Sequence, residues 1–339
     1  MNREKMTSLK ASVIIPTRNR HGKLIGLIDC LKRQSVAAND YEIIIVDDGS
    51  TPAVVLPSDD QGPKCTLVRL EGVERSAARN RGAVHAQGGM LVFVDDDMTV
   101  ESDFLAAHLR AHAEWPGSIA IGASRLADEL FSNPFGRFRR KLEQFEVPRE
   151  RGPVAMRNFC AAANMSIGRD LFNKLEGFDQ AIVSGEDQDL ALRHTATGGR
   201  IVFVPDAVSI HHDTAVDIRS YCRRSEWGSE KMVAFIRRHP DWPDNVERER
   251  VNGFARWGSE PVSQSARKTI KLGLTNQAVV NVLLATARLL ERTAPDSYLL
   301  NRVYRLLLGA HILRGYRKGL KRTAVRDQLP AVARAEIAN

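Results

Sequence analysis

Short β-branched runs alternate with helical spacings through the first hundred residues. Residues 12–16 (SVIIP) and 41–46 (YEIIIV) read as buried strands, each closed by a polar or acidic turn. Between them Leu24, Ile25, Leu27, Ile28 and Leu31 recur at helical spacing. A third strand, 66–70, leads into the Ala-rich SAARNRGAVHAQ, a helix closed by Gly88-Gly89. A fourth, 90–94, stops at three aspartates. This alternation predicts a mostly parallel central sheet with helices on its faces. Ligands of such sheets sit beyond the carboxyl ends of the strands. Three polar clusters fall there, at 17–20, 47–50 and 95–97.

The second half changes character. Residues 161–167 predict another strand, followed by a helix from Asp170 and a turn at 176–179. The acidic cluster Glu186-Asp187-Gln188-Asp189 stands at a helix start, and a strand at 200–204 leads to His211-His212. From about residue 215 the pattern is helical to the end. Over 298–320, Leu299, Val303, Leu306, Leu307, Ala310 and Leu313 share one helical face, with Arg302 and Arg305 beside it.

Composition narrows this only in places. A chain of 339 residues has room for one large α/β domain with an appendage, or for two domains. Cys30, Cys65, Cys160 and Cys222 are widely spread, which argues against a disulfide framework or a zinc cluster and fits a reducing compartment. The first apolar run is too short for a signal peptide and no window is long enough to span a membrane, so a cytoplasmic protein is expected. The net charge is +8, and 8 basic residues with no acid lie between Asn301 and Arg326. The excess describes that tail, and no nucleic-acid partner is expected.

Several clusters carry candidate chemistry, each with a plainer alternative. Asp95, Asp96 and Asp97 leave a buried strand together. They read as a site for a hard cation against phosphate oxygens, or as a solvated or helix-capping turn. Asp47-Asp48-Gly49-Ser50 is a β-turn or a carboxylate pair facing a base or ribose. Asp187 offers a general base, and the acids around it equally suit a helix N-terminus. Asp189 complements that dipole or pairs with Arg193. His211 is a metal ligand or an ordinary surface histidine. There is no GxSxG elbow and no Walker loop, and residues 82–89 are no dinucleotide fingerprint, because no strand directly precedes them.

Taken in order, SVIIPTRNR, VDDGS, SAARNRGA, FVDDDM, AANMSIGRDLFNKLEGFD, GEDQDL and VFVPDAVSIHH resemble the family 2 glycosyltransferases of the GT-A fold. The resemblance covers roughly residues 10–215. It implies a GT-A domain (Rossmann-like, a mostly parallel central sheet flanked by helices) over 10–215. An α-helical C-terminal extension would then occupy 216–339. It also implies Pro16 and Arg18 in the donor's base pocket, Asp48 on the base with Asp47 in support, and Arg79 and Asn80 near the nucleotide. Asp96 would face the ribose and Asp97 bind the metal, although the triplet also reads as Asp-x-Asp with Asp95 and Asp97 as the paired acids. Asp187 aligns with the general base of an inverting mechanism and Glu186 with an acceptor-side acid. Asn164 and Met165 would border the acceptor, and His211 matches a further metal ligand.

The expected partners are a nucleotide-sugar donor, Mg²⁺ or Mn²⁺, and a glycan or lipid-linked acceptor, in bacterial surface polysaccharide or glycoconjugate synthesis. The basic amphipathic helix at 298–320 predicts contact with an anionic membrane, peripheral on the inner face, or packing on the catalytic domain. Two other classes compete. A nucleotidyltransferase would want a Gly-rich basic loop near the N-terminus, where TRNRHG is a poor one. A non-catalytic glycan-binding or scaffold protein is disfavoured by the presence of Asp48, Asp97 and Asp187 together.

Overall fold

The computed structural model describes residues 9–56, 62–143, 150–155 and 161–328. Cys160 lies outside them, and Cys30, Cys65 and Cys222 form no disulfide among the described residues. The chain divides into two compact units. The first comprises 1–127, 144–180 and 186–213, and the second 128–143, 181–185 and 214–339.

The first unit is built on one sheet of nine strands. In chain order it contains β1 (Ala11–Thr17), α1 (His21–Lys32), β2 (Tyr41–Asp48), β3 (Lys64–Leu70), α2 (Arg75–His85) and β4 (Met90–Val94). There follow β5 (Met98–Val100), α3 (Phe104–Glu114) and β6 (Ile119–Leu126). After α4 (Pro134–Glu143), which belongs to the second unit, come β7 (Gly152–Val154), β8 (Asn164–Gly168), α5 (Arg169–Lys174), α6 (Glu186–Ala196) and β9 (Ile201–His211).

The strand order is β3-β2-β1-β4-β8-β6-β9-β5, with β7 also on β9. The four strands β3, β2, β1 and β4 are wholly parallel, as the alternation of strands and helices predicts. Beyond them the sheet is mixed. β8 runs antiparallel to both β4 and β6, and β5 and β7 run antiparallel to β9. The alternation of residues along β1, β2 and β4 sends side chains to two cores. Val13, Ile15, Ile43, Ile45, Val92 and Val94 pack with Leu24, Leu27 and Leu31 of α1 and Phe104 of α3. Ile14, Ile44, Leu91 and Phe93 pack with Ala78 and Ala83 of α2, Phe172 of α5 and Leu190 of α6.

The second unit is helical. To α4 it adds α7 (Ile218–Arg238), α8 (Pro243–Asn252), α9 (Val262–Leu274), α10 (Gln277–Thr293) and α11 (Tyr298–Gln328). The amphipathic face expected to meet lipid or the catalytic domain is used within this unit. Val303, Leu307 and Ala310 join Phe135 and Phe138 of α4, Ile218 of α7, and Val280 and Ala287 of α10, and Leu313 is also buried. Burying such a face stabilises the bundle by roughly 1.5–3 kcal/mol per large side chain, more than a polar surface contact returns. Leu299 and Leu306 remain exposed. Among the described residues no helix is long and apolar enough to cross a membrane.

Candidate active site

Parallel pairing of β1 with β2 and β4 brings the carboxyl ends of these strands side by side, with Thr17 opposite Asp47. The three polar clusters therefore converge. They border a cavity of about 210 Å³ whose walls include Pro16, Thr17, Arg18, Arg20, Asp48, Glu74, Arg75, Asp95 and Asp96. Glu74 in its wall (φ 73°) and Asn19, between the wall residues Arg18 and Arg20 in the chain (φ 55°), hold left-handed backbone without being glycine. Such conformations cost about 1–3 kcal/mol each and concentrate at functional sites.

Asp47 and Asp48 divide the work of their turn. Asp47 is fully buried and accepts the backbone N–H groups of Ser50 at 2.9 Å and Val54 at 3.0 Å, and an ion pair from Arg69. Burial pushes its carboxyl up, but these hydrogen bonds prevail and hold it below the usual range. Asp48 accepts only the Val73 N–H, at 2.6 Å on one oxygen, among the bonds described for it, and it lines the cavity. Asp47 holds the turn, and Asp48 is the one of the pair that lines the cavity.

The acidic triplet is held by two arginines of opposite character. Arg79 on α2 is 1% exposed and donates to Asp95 at 2.7 Å and to Glu186 at 2.6 Å. Its Nε is buried with no hydrogen-bond partner, and its guanidinium lies 5.6 Å from the centre of the Phe178 ring. Close seating of α2 allows this: a Cβ at Gly82 would lie 2.5 Å from Ile14 Cγ2, so only glycine lets the helix approach β1 so nearly. Arg20 reaches across from the β1 loop with a side chain 41% exposed. One nitrogen, Nη1, donates to Asp96 at 3.0 Å and to Asp97 at 2.8 Å. Asp96 also accepts the Thr17 hydroxyl at 2.7 Å.

These partners separate the three carboxyls. Burial pushes Asp95 up, but the Arg79 and Arg75 guanidiniums outweigh it and bring the group to about 2. Burial prevails at Asp96, whose carboxyl titrates above the usual range despite Thr17 and Arg20. At Asp97 burial is overcome by the His211 imidazole and Arg20, and the group lies below the usual range. His211 is brought there by antiparallel pairing of β5 with β9, which sets it opposite Met98. Its Nε2 stands 3.4 Å from Asp97 Oδ2.

Asp187, in the first turn of α6, accepts the Ala162 N–H at 3.1 Å and the Gln188 N–H at 2.8 Å. Burial and the neighbouring Glu186 carboxylate push it up to about 7, against the opposing pull of Arg79. A carboxylate poised near neutrality is suited to taking a proton from a hydroxyl. Asp189 pairs with Arg193 at 2.8 Å, the plainer of its two expected roles.

Of the residues expected in the donor pocket, Pro16, Arg18, Asp48, Asp95 and Asp96 line the cavity. Arg79 stands behind the wall, joining the Asp95 and Asp187 clusters. Asn80 is also absent from the wall. Its side-chain amide donates to the Phe178 carbonyl at 2.8 Å and accepts the Phe178 N–H at 2.9 Å. Asn164 is 1% exposed and sits in a polar seam of the sheet, bonded to His108 at 3.0 Å and to Ala207 O and Ser209 Oγ, each at 2.9 Å. Met165 is fully buried. Both lie inside the protein. Thr17 and Arg20, of the polar cluster at 17–20, also line the cavity, as do Glu74 and Arg75, which no motif singles out. Arg20 stood inside the TRNR motif, but its partners lie 76 and 77 residues away.

Residues 12–173 match the family model described as glycosyl transferase family 2. Over that segment the chain is similar to the family 2 glycosyltransferases. The chain is 27% identical over 238 residues to the pre-mycofactocin glycosyltransferase of Mycobacterium tuberculosis, covering 68% of this chain and 48% of the relative. It thus spans about half the length of that protein. It is 26% identical over 324 residues to the validoxylamine A glucosyltransferase of Streptomyces hygroscopicus, covering 78% of this chain and 67% of the relative. Its fold is that of the mannosyltransferase PcManGT from Pyrobaculum calidifontis in complex with GDP-Man and Mn²⁺. That match has a TM-score of 0.54 and 19% identity, over 92% of this chain and 87% of the other. S. aureus TarS 1-349 with UDP-GlcNAc matches with a TM-score of 0.51 and 17% identity, covering 92% of each chain. The central sheet has the GT-A fold.

Proposed function

We propose that this glycosyltransferase moves a sugar, with inversion, from a nucleoside-diphosphate donor in the strand-end cavity to a hydroxyl of a glycan or lipid-linked acceptor. The observation that carries the reading is the convergence of Asp48, the triplet and Asp187 on one side of the sheet. Asp48 and Pro16 would receive the base, and Asp96 the ribose. Asp187, with a carboxyl near 7, would take the acceptor proton, so that the hydroxyl oxygen bonds the anomeric carbon as the bond to the diphosphate breaks. Arg18, Arg20 and Arg75 on the cavity wall supply positive charge where the leaving diphosphate gathers negative charge.

A divalent cation fits the donor set. Asp97 and His211 offer one carboxylate oxygen and one imidazole nitrogen 3.4 Å apart, and the Arg20 guanidinium on Asp96 and Asp97 marks them as a pair that holds positive charge. Among the described residues no group of three or more His, Cys, Asp or Glu side chains is arranged to hold a metal alone. Mg²⁺ and Mn²⁺ sites often take one or two protein ligands and complete themselves with substrate phosphates. Bound there, the cation would offset charge on the diphosphate.

The test is a screen of UDP-, GDP- and dTDP-sugars with Mg²⁺ or Mn²⁺, following release of nucleoside diphosphate. Release from at least one donor, abolished by EDTA, is expected. No release from any donor contradicts the reading, and release that survives EDTA contradicts the metal.

A second observation bears on the acceptor. Val279, Val282 and Leu289 of α10 and Leu299 and Leu306 of α11 are exposed, among the exposed Arg288, Arg292, Arg302 and Arg305. This basic and apolar surface supports contact of the helical unit with an anionic lipid face, where a lipid-linked acceptor would lie. In flotation with anionic vesicles, Val282→Glu with Leu289→Glu should reduce binding; equal flotation of variant and wild type counts against it.

A further inference from the structure

Arg79 and Arg20 both neutralise the triplet, but only one of them is free to leave it. Arg79 is 1% exposed and fixed on a helix between Asp95 and Glu186. Arg20 is 41% exposed on the loop between β1 and α1, and it rests on Asp96 and Asp97 through the single nitrogen Nη1. Its side chain also forms part of the cavity wall, beside Arg18 and Arg75. The Asp97 oxygen that Nη1 contacts at 2.8 Å, Oδ2, is the one that faces His211 Nε2. A guanidinium and a divalent cation cannot both sit on that oxygen at bonding distance without strong repulsion.

We propose that Arg20 is an exchangeable counter-ion of the Asp96–Asp97 pair, which it surrenders to a divalent cation when a nucleoside diphosphate enters the cavity. The proposal rests on the metal-dependent reading above and adds a residue and an order to it. Two physical reasons support the exchange. Without the nucleotide, the two protein donors are too few to satisfy the cation, and Arg20 already neutralises the carboxylates. With it, the diphosphate brings oxygens for the cation and a second anionic partner for the guanidinium, which recognises phosphate as well as carboxylate. Arg20 thereby discourages uptake of the cation before the donor arrives. It acts as a positioning residue toward the metal.

The experiment is a titration of the intact chain with Mn²⁺, read by loss of the free-ion electron paramagnetic resonance signal, alone and with saturating UDP or GDP. Wild type should bind Mn²⁺ at least about tenfold more tightly with one of the nucleotides than without. Arg20→Gln should bind it at least about tenfold more tightly than wild type in the absence of nucleotide, since a positive charge beside the site is gone. Arg20→Lys keeps that charge and should stay within about threefold of wild type. Equal Mn²⁺ affinity for wild type and Arg20→Gln without nucleotide overturns the proposal, and so does weaker binding by Arg20→Gln. If nucleotide fails to tighten Mn²⁺ in wild type, the exchange is likewise refuted without reference to any variant. Wild type that binds no Mn²⁺ even with UDP or GDP removes the metal reading itself and the proposal with it.

Discussion

Replacing Arg79 with methionine keeps the aliphatic volume and removes a buried cation that holds two carboxylates. The guanidinium is 1% exposed, with Asp95 at 2.7 Å and Glu186 at 2.6 Å. Breaking a buried pair from one side costs about 3–5 kcal/mol, and here the Glu186 carboxylate, 6% exposed, loses this partner with little water to replace it. The loss should be largest at pH 8. In wild type the Asp95 carboxyl is held to about 2, below its unfolded value near 4. The stability it contributes is present above the unfolded value and disappears as pH falls through the folded one. The variant lacks that contribution, so its deficit should narrow towards acid pH. Arg79 also opposes the rise of Asp187, so the pH at which the enzyme gains activity should move upward in the variant. Urea unfolding at pH 8, 6 and 4, with a pH–rate profile of donor turnover, measures both effects. A loss below about 1 kcal/mol, or one equal at pH 8 and pH 4, refutes the clamp.

Three further outcomes follow from the geometry. Asp187→Asn should lower turnover by about 10²–10⁴ while nucleotide affinity holds, and the wild-type rate should rise with pH through about 7 as the carboxylate form fills. Steady-state kinetics beside nucleotide titration checks this, and unchanged turnover means that Asp187 is not the base. Burial lowers His108 to about 3 and His112 to about 4. Both stay neutral in the fold, so stability should fall as pH drops below their unfolded value near 6.5. His108→Gln, which keeps a donor and an acceptor, should flatten the dependence of the urea midpoint on pH between 6.5 and 4. Gly315→Ala should destabilise the helical unit by about 1–3 kcal/mol, since its Cβ would lie 2.0 Å from the Glu226 carbonyl oxygen of α7. Thermal unfolding reads the change, and an unaltered midpoint means the helices part freely.

What the chain revealed in advance depended on how local the signal was. β1, β2 and β4 are buried on both faces, so each is a continuous apolar run that ends at a polar cluster, and their parallel half of the sheet could be read directly. β5 is only three residues long, and the insertion of β8 between β4 and β6 rests on pairings across 44 to 78 residues, which no local period records. The site divided similarly. Asp48, Asp95 and Asp96 sit at strand ends and reach the cavity as expected. Arg79 belongs to a motif that was legible, but its burial and its bond to Glu186 at a separation of 107 residues were not. Asn80 and Asn164 are expected near ligands from the resemblance alone, and their packing roles are not legible in the sequence. Tertiary packing uses the first to hold the Phe178 backbone and the second to join β8 to α3 and β9. The apolar stripe of α11 was correctly seen, but periodicity names no partner, and the bundle itself covers most of it.

Single displacement in the strand-end cavity is tested most directly by the anomer that the enzyme first releases. Proton nuclear magnetic resonance of slow hydrolysis of an α-linked donor, followed with Mn²⁺ before the free sugar re-equilibrates, reports this without knowledge of the acceptor. The β-anomer should appear first, with the signal lost in EDTA and in Asp187→Asn. Initial release of the α-anomer, or β-release that Asp187→Asn leaves intact, would contradict a direct attack assisted by Asp187.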